Sequence, residues 1–327
     1  MTTSTKTALV IGATGGFGAH ATLALIKHGW TIRAMARDPA AAARRLGERL
    51  PIEWVQGDAM NAGDVLKAAR DQQVIVHAVN PPRYKNWRAL AVPPLDNTIA
   101  AAVAEGARIL LPGNVYNYAP DAGERITEEA PQAPITRKGK IRVEMEEKLR
   151  EATRHGARVL ILRAGDFIGP DVDGALSWAI TQSKGVPKTR HRMTARPVPH
   201  AFAYLPDLGE AAARLLDKEA SLAAFENVNF RGHHLAAAED LGVAVARVTG
   251  RDLPLRPFPW ALLAALSPVV EMFRELGEMR YLWDNPIGLD NAKLERLIGP
   301  EPHTALDDAV RASLPDAAFP VAMREAA

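Results

Sequence analysis

Apolar runs and amphipathic stretches take turns along the first half of the chain, and this rhythm is its strongest signal. Residues 8–11 have no polar side chain, as a strand buried on both faces requires. The same reasoning predicts strands over 31–36, 52–56, 74–79, 108–111 and 158–162. Helical patterns over 20–28, 39–50, 62–70, 95–105 and 139–153 fall between them. Strands and helices alternating at this spacing predict an α/β, Rossmann-type doubly wound parallel sheet with right-handed crossovers.

After Gly169-Pro170 the rhythm breaks. Residues 171–327 mix helical patterns with short extended pieces such as 225–230, punctuated by prolines. The expected organisation is a nucleotide-binding domain over 1–170 and a smaller C-terminal substrate-binding lobe over 171–327. Some strands and helices of the lobe are expected to return to the first core. The lobe should cover the C-terminal edge of the sheet, where doubly wound folds bind ligands.

The first strand runs into Gly12-Ala13-Thr14-Gly15-Gly16-Phe17-Gly18, a GxxGxxG spacing. Gly12 suits a sharp turn, Gly15 has no Cβ to keep a phosphate away, and Gly18 lets the next helix lie against the sheet. Thr14, Gly16 and Phe17 complete the cradle, and the helix N-terminus behind it favours an anion. A glycine triplet between strand and helix is a strong dinucleotide signal. At the end of the second strand stands Arg37, where a guanidinium suits a ribose 2′-phosphate, so NADP is expected ahead of NAD. Asp38 competes as a ribose-binding acid, but Asp before Pro39 also makes a helix N-cap. Asp58, with Ala59, follows the third strand, and two uses are open: an acceptor for the adenine amino group, or a cap for the next helix. Ala78, Val79 and Asn80, at the end of the fourth strand, should line the cofactor cleft.

Composition narrows the class. The 327 residues are 47% apolar and 24% charged, with net charge +2 and no cysteine. The pI of 8.8 reflects an arginine-rich composition rather than a basic patch. Nothing in this balance requires a nucleic-acid or membrane partner, and thiol catalysis, disulfides and zinc-thiolate sites are excluded. Residues 1–7 are too short and polar for a signal peptide, and the apolar stretch 260–270 is too short to span a bilayer, so a cytoplasmic location is the expectation. His233-His234 lack metal-ligand spacing, His77 reads as a core strand residue, and no Gly-x-Ser-x-Gly elbow occurs; no metal site is expected.

Over nearly its whole length the chain resembles the extended short-chain dehydrogenase/reductase family, the NAD(P)-dependent epimerase/dehydratase group. The resemblance rests on Gly12-x-x-Gly15-x-x-Gly18, Gly57-Asp58, Val76-His77-Ala78 and Asn97. Further on, it rests on the segment from Leu162 to Pro170, on Tyr204-Leu205-Pro206-Asp207-Leu208, and on the ending from Leu297 to Asp307. Thr304 with Asp307 also reads as a helix-start capping arrangement. The family pairs a Tyr-x-x-x-Lys on the fifth helix with a Ser or Thr after the fifth strand, and this sequence has no Tyr-x-x-x-Lys. Matched to that pattern, Lys140 takes the lysine position, Thr136 the tyrosine position and Asn114 the Ser/Thr position. A threonine hydroxyl is too weak an acid to replace a lysine-assisted tyrosine. Tyr116 or Tyr118, nearest in sequence, or Tyr84 from the loop after the fourth strand, are the candidates for the proton donor.

The resemblance implies an oxidoreductase acting on a carbonyl, alcohol or sugar-nucleotide-like small molecule, with Lys140 on the nicotinamide ribose. A non-catalytic NAD(P) sensor or scaffold is the alternative, and epimerisation or dehydration a third reading. It also implies a homodimer through the fourth and fifth helices. The basic stretch 184–200 is open to two uses, a lid over an anionic substrate or a solvated loop, and Trp178 to a pocket wall or a core position.

Overall fold

Alternate residues of the first strand belong to different cores: Ala8 and Val10 pack into one, Leu9 and Ile11 into the other. This is the period-two signature of a strand covered on both faces. The computed structural model describes residues 6–81, 86–170, 172 and 174–319. In chain order the first half contains β1 (Thr7–Ile11), α1 (Gly16–Lys27), β2 (Thr31–Ala36), α2 (Pro39–Leu46), β3 (Ile52–Gln56), α3 (Ala62–Ala69) and β4 (Val74–His77). Then follow α4 (Trp87–Glu105), β5 (Arg108–Gly113), α5 (Arg137–Thr153) and β6 (Arg158–Arg163).

Past β6 the chain forms β7 (Asp166–Ile168), α6 (Leu176–Ala179), β8 (Ile180–Ser183), β9 (Val186–Arg192), β10 (His200–Tyr204) and α7 (Leu205–Leu216). Next come β11 (Phe225–Asn229), β12 (His233–Leu235), α8 (Asp240–Thr249) and β13 (Leu255–Pro257). Five short helices follow: α9 (Trp260–Leu266), α10 (Glu271–Glu278), α11 (Tyr281–Asp284), α12 (Ala292–Ile298) and α13 (Leu306–Ala312).

The main sheet is seven-stranded and parallel in the order β11-β6-β5-β4-β1-β2-β3. The chain builds outward from β1 to β3, then restarts at β4 on the other side of β1. That reversal opens a crevice beyond the C-terminal ends of β1 and β4. Elements after residue 170 return to this sheet: β11 pairs with β6, and Leu208 and Leu215 of α7 share a core with Leu25 of α1. A separate core around Phe202, Leu241 and Val245 holds the C-terminal elements, with small sheets β12-β10-β7 and β13-β9-β8.

Several local expectations are corrected. Helix α1 begins at Gly16 rather than near residue 20, because Gly15 serves as its extended N-cap and the glycines enter its first turn. Helix α4 begins at Trp87, ahead of Pro93 and Pro94, which it carries inside. The basic stretch 184–200 is neither lid nor loop at its start. Lys184 and Gly185, both at positive φ (50° and 77°), make the tight turn of the β8–β9 hairpin. Thr304 and Asp307 do not cap a helix: Thr304 donates to Asp207 at 2.8 Å, and Asp307 pairs with Arg247.

Candidate functional site

At Gly12 the backbone leaves β1 with φ of +92°, and a Cβ there would lie 2.6 Å from the carbonyl oxygen of Ala78. A Cβ on Gly18 would lie 2.1 Å from the carbonyl oxygen of Gly12, so any side chain would push α1 off the turn. Gly15 differs: it has an ordinary φ of −86°, and a Cβ would meet only the Gly12 oxygen, at 3.4 Å. Its open side faces the cleft. The first turn of the twelve-residue α1 carries no acid, so its amide groups face that space without a competing carboxylate. These features fit a dinucleotide pyrophosphate.

The cleft has a volume of about 1340 Å³ and follows the crevice between the two halves of the sheet. Gly12, Thr14, Gly15, Gly16 and Phe17 line its middle, and Ala78, Val79 and Asn80 line it beyond β4. Arg37, Asp58 and Ala59 line the end past β2 and β3, together with Arg45 of α2. Gly18 is not on the wall; it lies beneath the turn. The Asp38 carboxylate accepts the Ala41 amide at 2.9 Å as the N-cap of α2. Arg37 and Arg45 enter no ion pair among the described residues. Asp58 does not cap α3, whose cap is Asn61; its carboxylate accepts the Met60 amide within its own loop. Asn97 fixes that loop by donating to the Ala59 carbonyl at 2.9 Å.

At the other end, Asn114 and Tyr116 line the cleft, and the Asn114 side chain accepts the Tyr116 amide at 3.0 Å. Tyr118 does not reach it. Its ring is fully buried beside Ile126 and Leu289 and under the Arg163 guanidinium, and burial pushes its phenol above the usual range. Thr136 is buried as the N-cap of α5, accepting the Gly139 amide at 3.0 Å. Lys140 is exposed and lines a separate cleft of about 450 Å³ with Arg88, Glu144 and Glu271. The reason is helical phase. Successive residues of α5 are about 100° apart, and the face meeting the main cleft is that of Arg142, whose guanidinium lies 5.1 Å from the Trp87 ring. Lys138, one turn before Arg142, is buried and pairs with Glu275 at 2.7 Å. Tyr84 falls in 82–85, outside the described residues.

Three features complete the site: His77 is the core strand residue its pattern predicts, while Asp166 with His200, and Arg163, were not singled out in the sequence. His77, at the end of β4, lies on the cleft floor with Nδ1 2.8 Å from the Thr98 hydroxyl. Burial, with the charge of Arg142 adding, lowers its pKa from 6.5 to about 3. Asp166 lines the cleft and accepts from His200 Nε2 at 2.9 Å, while the His200 ring stacks on Trp283 at 4.3 Å. Their pairing follows from β7 lying parallel to β10 with Asp166 opposite Phe202, a contact no local motif encodes. Third, Arg163 is wholly buried and organises the loop beneath Asn114. It donates to the Asn114 carbonyl at 2.7 Å and to Glu146 at 2.8 Å. Burial works against its charge, but Glu146, with Tyr118 and Glu128 adding, outweighs it and holds its pKa above the ordinary guanidinium value. Trp178 forms part of the cleft wall.

The sheet order, glycine turn and crevice define a nicotinamide-dinucleotide-binding Rossmann protein. The NAD(P)H-binding family model matches residues 12–179, just over half the chain, and the chain belongs to that family. No curated protein matches it. Among solved structures it is similar to the UDP-glucuronic acid 4-epimerase of Bacillus cereus in complex with NAD, at 17% identity and TM-score 0.75, covering 94% of this chain and 95% of that one. It is also similar to the UDP-glucose 4-epimerase of Bifidobacterium longum in complex with NAD+ and UDP: 15% identity, TM-score 0.74, 94% and 97% covered. A nucleoside-diphosphate-sugar epimerase of Pseudomonas aeruginosa shares 21% identity with TM-score 0.70, over 95% and 96%. At these identities the likeness is one of fold, and it is the fold the resemblance to extended short-chain dehydrogenases/reductases led one to expect.

Proposed function

We propose that this chain is an NAD(P)-dependent oxidoreductase that interconverts a carbonyl and an alcohol on a small molecule, with NADP preferred. What carries the reading is the grouping of Asn114, Tyr116, Arg142 and Asp166 on one cleft with the glycine turn. A bound nicotinamide supplies the site with a hydride donor or acceptor. The chain's own groups do the rest. Asn114 and Tyr116 donate hydrogen bonds to the substrate oxygen, which polarises a carbonyl and steadies an alkoxide. Asp166, held by His200, exchanges the proton with that oxygen in place of the family's tyrosine. Arg142 takes the ribose-anchoring role that the sequence pattern suggests for Lys140. The preference for NADP draws on the two arginines at the adenosine end and on the capping use of Asp38.

The test is oxidation of NADPH and NADH across a panel of aldehydes, ketones and sugar nucleotides. Asp166→Asn and Tyr116→Phe are each expected to lower kcat by about a hundredfold or more, with cofactor affinity unchanged. Saturable cofactor binding with no turnover on any substrate would favour the sensor instead. Epimerisation of sugar nucleotides, the activity named for the structural neighbours, ranks lower because α5 carries no tyrosine.

A further inference from the structure

The net charge of +2 conceals a strong local asymmetry. Between Asp173 and Asp207 the chain has five lysines and arginines and no acid, and between Asp252 and Glu271 its only charge is Arg256. The fold brings these two stretches together: β13 pairs with β9, setting Arg256 opposite His191 and Pro257 opposite Arg192. The Phe258 amide donates to the Arg192 carbonyl, and Trp260 Nε1 donates to the Met193 carbonyl at 2.7 Å. Helix α9 therefore rises directly from a cationic base, and Arg280 lies over the Trp260 ring at 5.3 Å.

The helix itself is unusual for a water-facing element. Leu263 is its buried contact, whereas Ala261, Leu262, Ala264, Ala265 and Leu266 are exposed. Leu262 is 57% exposed, and Val269, at the tip of the α9–α10 connection, is 81% exposed. Scattered exposed leucines need no explanation, but a projecting apolar knob with cations at its base does. Arg192, Arg256 and Lys188 are exposed and form no ion pair among the described residues.

We infer that the α9 knob with its Arg192–Arg256 base docks the protein on an anionic lipid surface, inserting Leu262 and Val269 among the acyl chains. Charge complementarity selects this occupant. The apolar side chains gain from entering hydrocarbon while the flanking guanidiniums remain at the level of the phosphates. A second copy of the chain fits less well, since a two-fold contact lays a patch on itself and would oppose Arg192 and Arg256 to their own copies. No helix among the described residues is long and apolar enough to cross a membrane, so the association is peripheral.

Vesicle co-sedimentation tests this, comparing phosphatidylglycerol-containing with pure phosphatidylcholine vesicles. The full chain should sediment with the anionic vesicles and stay in solution with the neutral ones. Leu262→Glu with Val269→Glu should weaken binding at least about tenfold, as should Arg192→Glu with Arg256→Glu. Both pairs are exposed and away from the nucleotide cleft, so the thermal unfolding midpoint is expected to hold and reports folding independently. Failure of the wild-type chain to bind anionic vesicles overturns the inference. So does binding lost on charge reversal but kept by the Leu262/Val269 variant, which would mark a surface for an acidic partner. A wild-type dimer that the Leu262/Val269 variant dissociates would assign the knob to self-association and overturn it equally.

Discussion

The guanidinium of Arg163 holds the backbone of Asn114 from beneath, donating to its carbonyl at 2.7 Å from a position with no solvent exposure. The same guanidinium is neutralised by Glu146, to which Gln132 also donates, and Asn117 in turn donates to Gln132. The loop that presents Asn114 and Tyr116 is thus tied to α5 through a buried ionic network.

Removing the carboxylate charge should therefore be costly. Glu146→Gln leaves a buried cation without its counter-charge, and such losses run to about 3–5 kcal/mol. Urea unfolding at neutral pH measures it, and a loss below about 1 kcal/mol would show that the pair is not a structural keystone.

Gly15 separates binding from folding. Because a Cβ there meets only the Gly12 oxygen at 3.4 Å and φ is ordinary, Gly15→Ala should leave the unfolding midpoint nearly unchanged. NAD(P)H affinity should fall about tenfold or more, since the methyl group fills the space a phosphate needs. Gly12→Ala, at φ +92° and 2.6 Å from the Ala78 oxygen, should lose both. Fluorescence titration of the two variants beside their melting curves checks the contrast.

Arg37→Ala should weaken NADPH about tenfold while changing NADH affinity by less than about twofold, because only the 2′-phosphate offers the guanidinium a charge-assisted partner. Equal losses for both nucleotides would refute the assignment.

On α5, Arg142→Ala should lower kcat about tenfold or more, whereas Lys140→Ala should leave turnover within about twofold, as a surface substitution away from the cleft does. The reverse ranking would restore Lys140 to the site.

His77 carries a pH prediction. Its pKa in the folded protein is about 3, below the unfolded value of 6.5. Between these values the unfolded chain binds a proton that the folded chain does not, so stability is fully present above pH 6.5 and falls as the pH drops toward 3. The slope attributable to this residue is about 1.4 kcal/mol per pH unit. His77→Gln should flatten the acid limb of a stability–pH curve by that amount; an unchanged limb would contradict the burial argument.

Legibility in the sequence followed the range of the interactions. The glycine turn, the Asp38 cap and the alternation of strands with helices depend on neighbours in sequence, and their side chains announce them. The start of α4 was hidden because Pro93 and Pro94 suggest a break, yet the helix carries both. On α5, Lys138, Lys140 and Arg142 are chemically alike, and only the packing of the helix decides which faces the cleft. Tyr118 looked as available as Tyr116 until Arg163, remote in sequence, covered its ring. Asp166 and His200 are 34 positions apart and meet only because β7 and β10 pair.

The position of β11 bears on any attempt to cut the chain. A fragment ending at Pro170 would expose the whole hydrogen-bonding edge of β6 and strip α1 of the helix it packs against, leaving a sticky, half-dressed remnant. Excision or grafting of the nucleotide-binding half should therefore yield aggregates. Phe225–Asn229 is the clasp that joins late sequence to early.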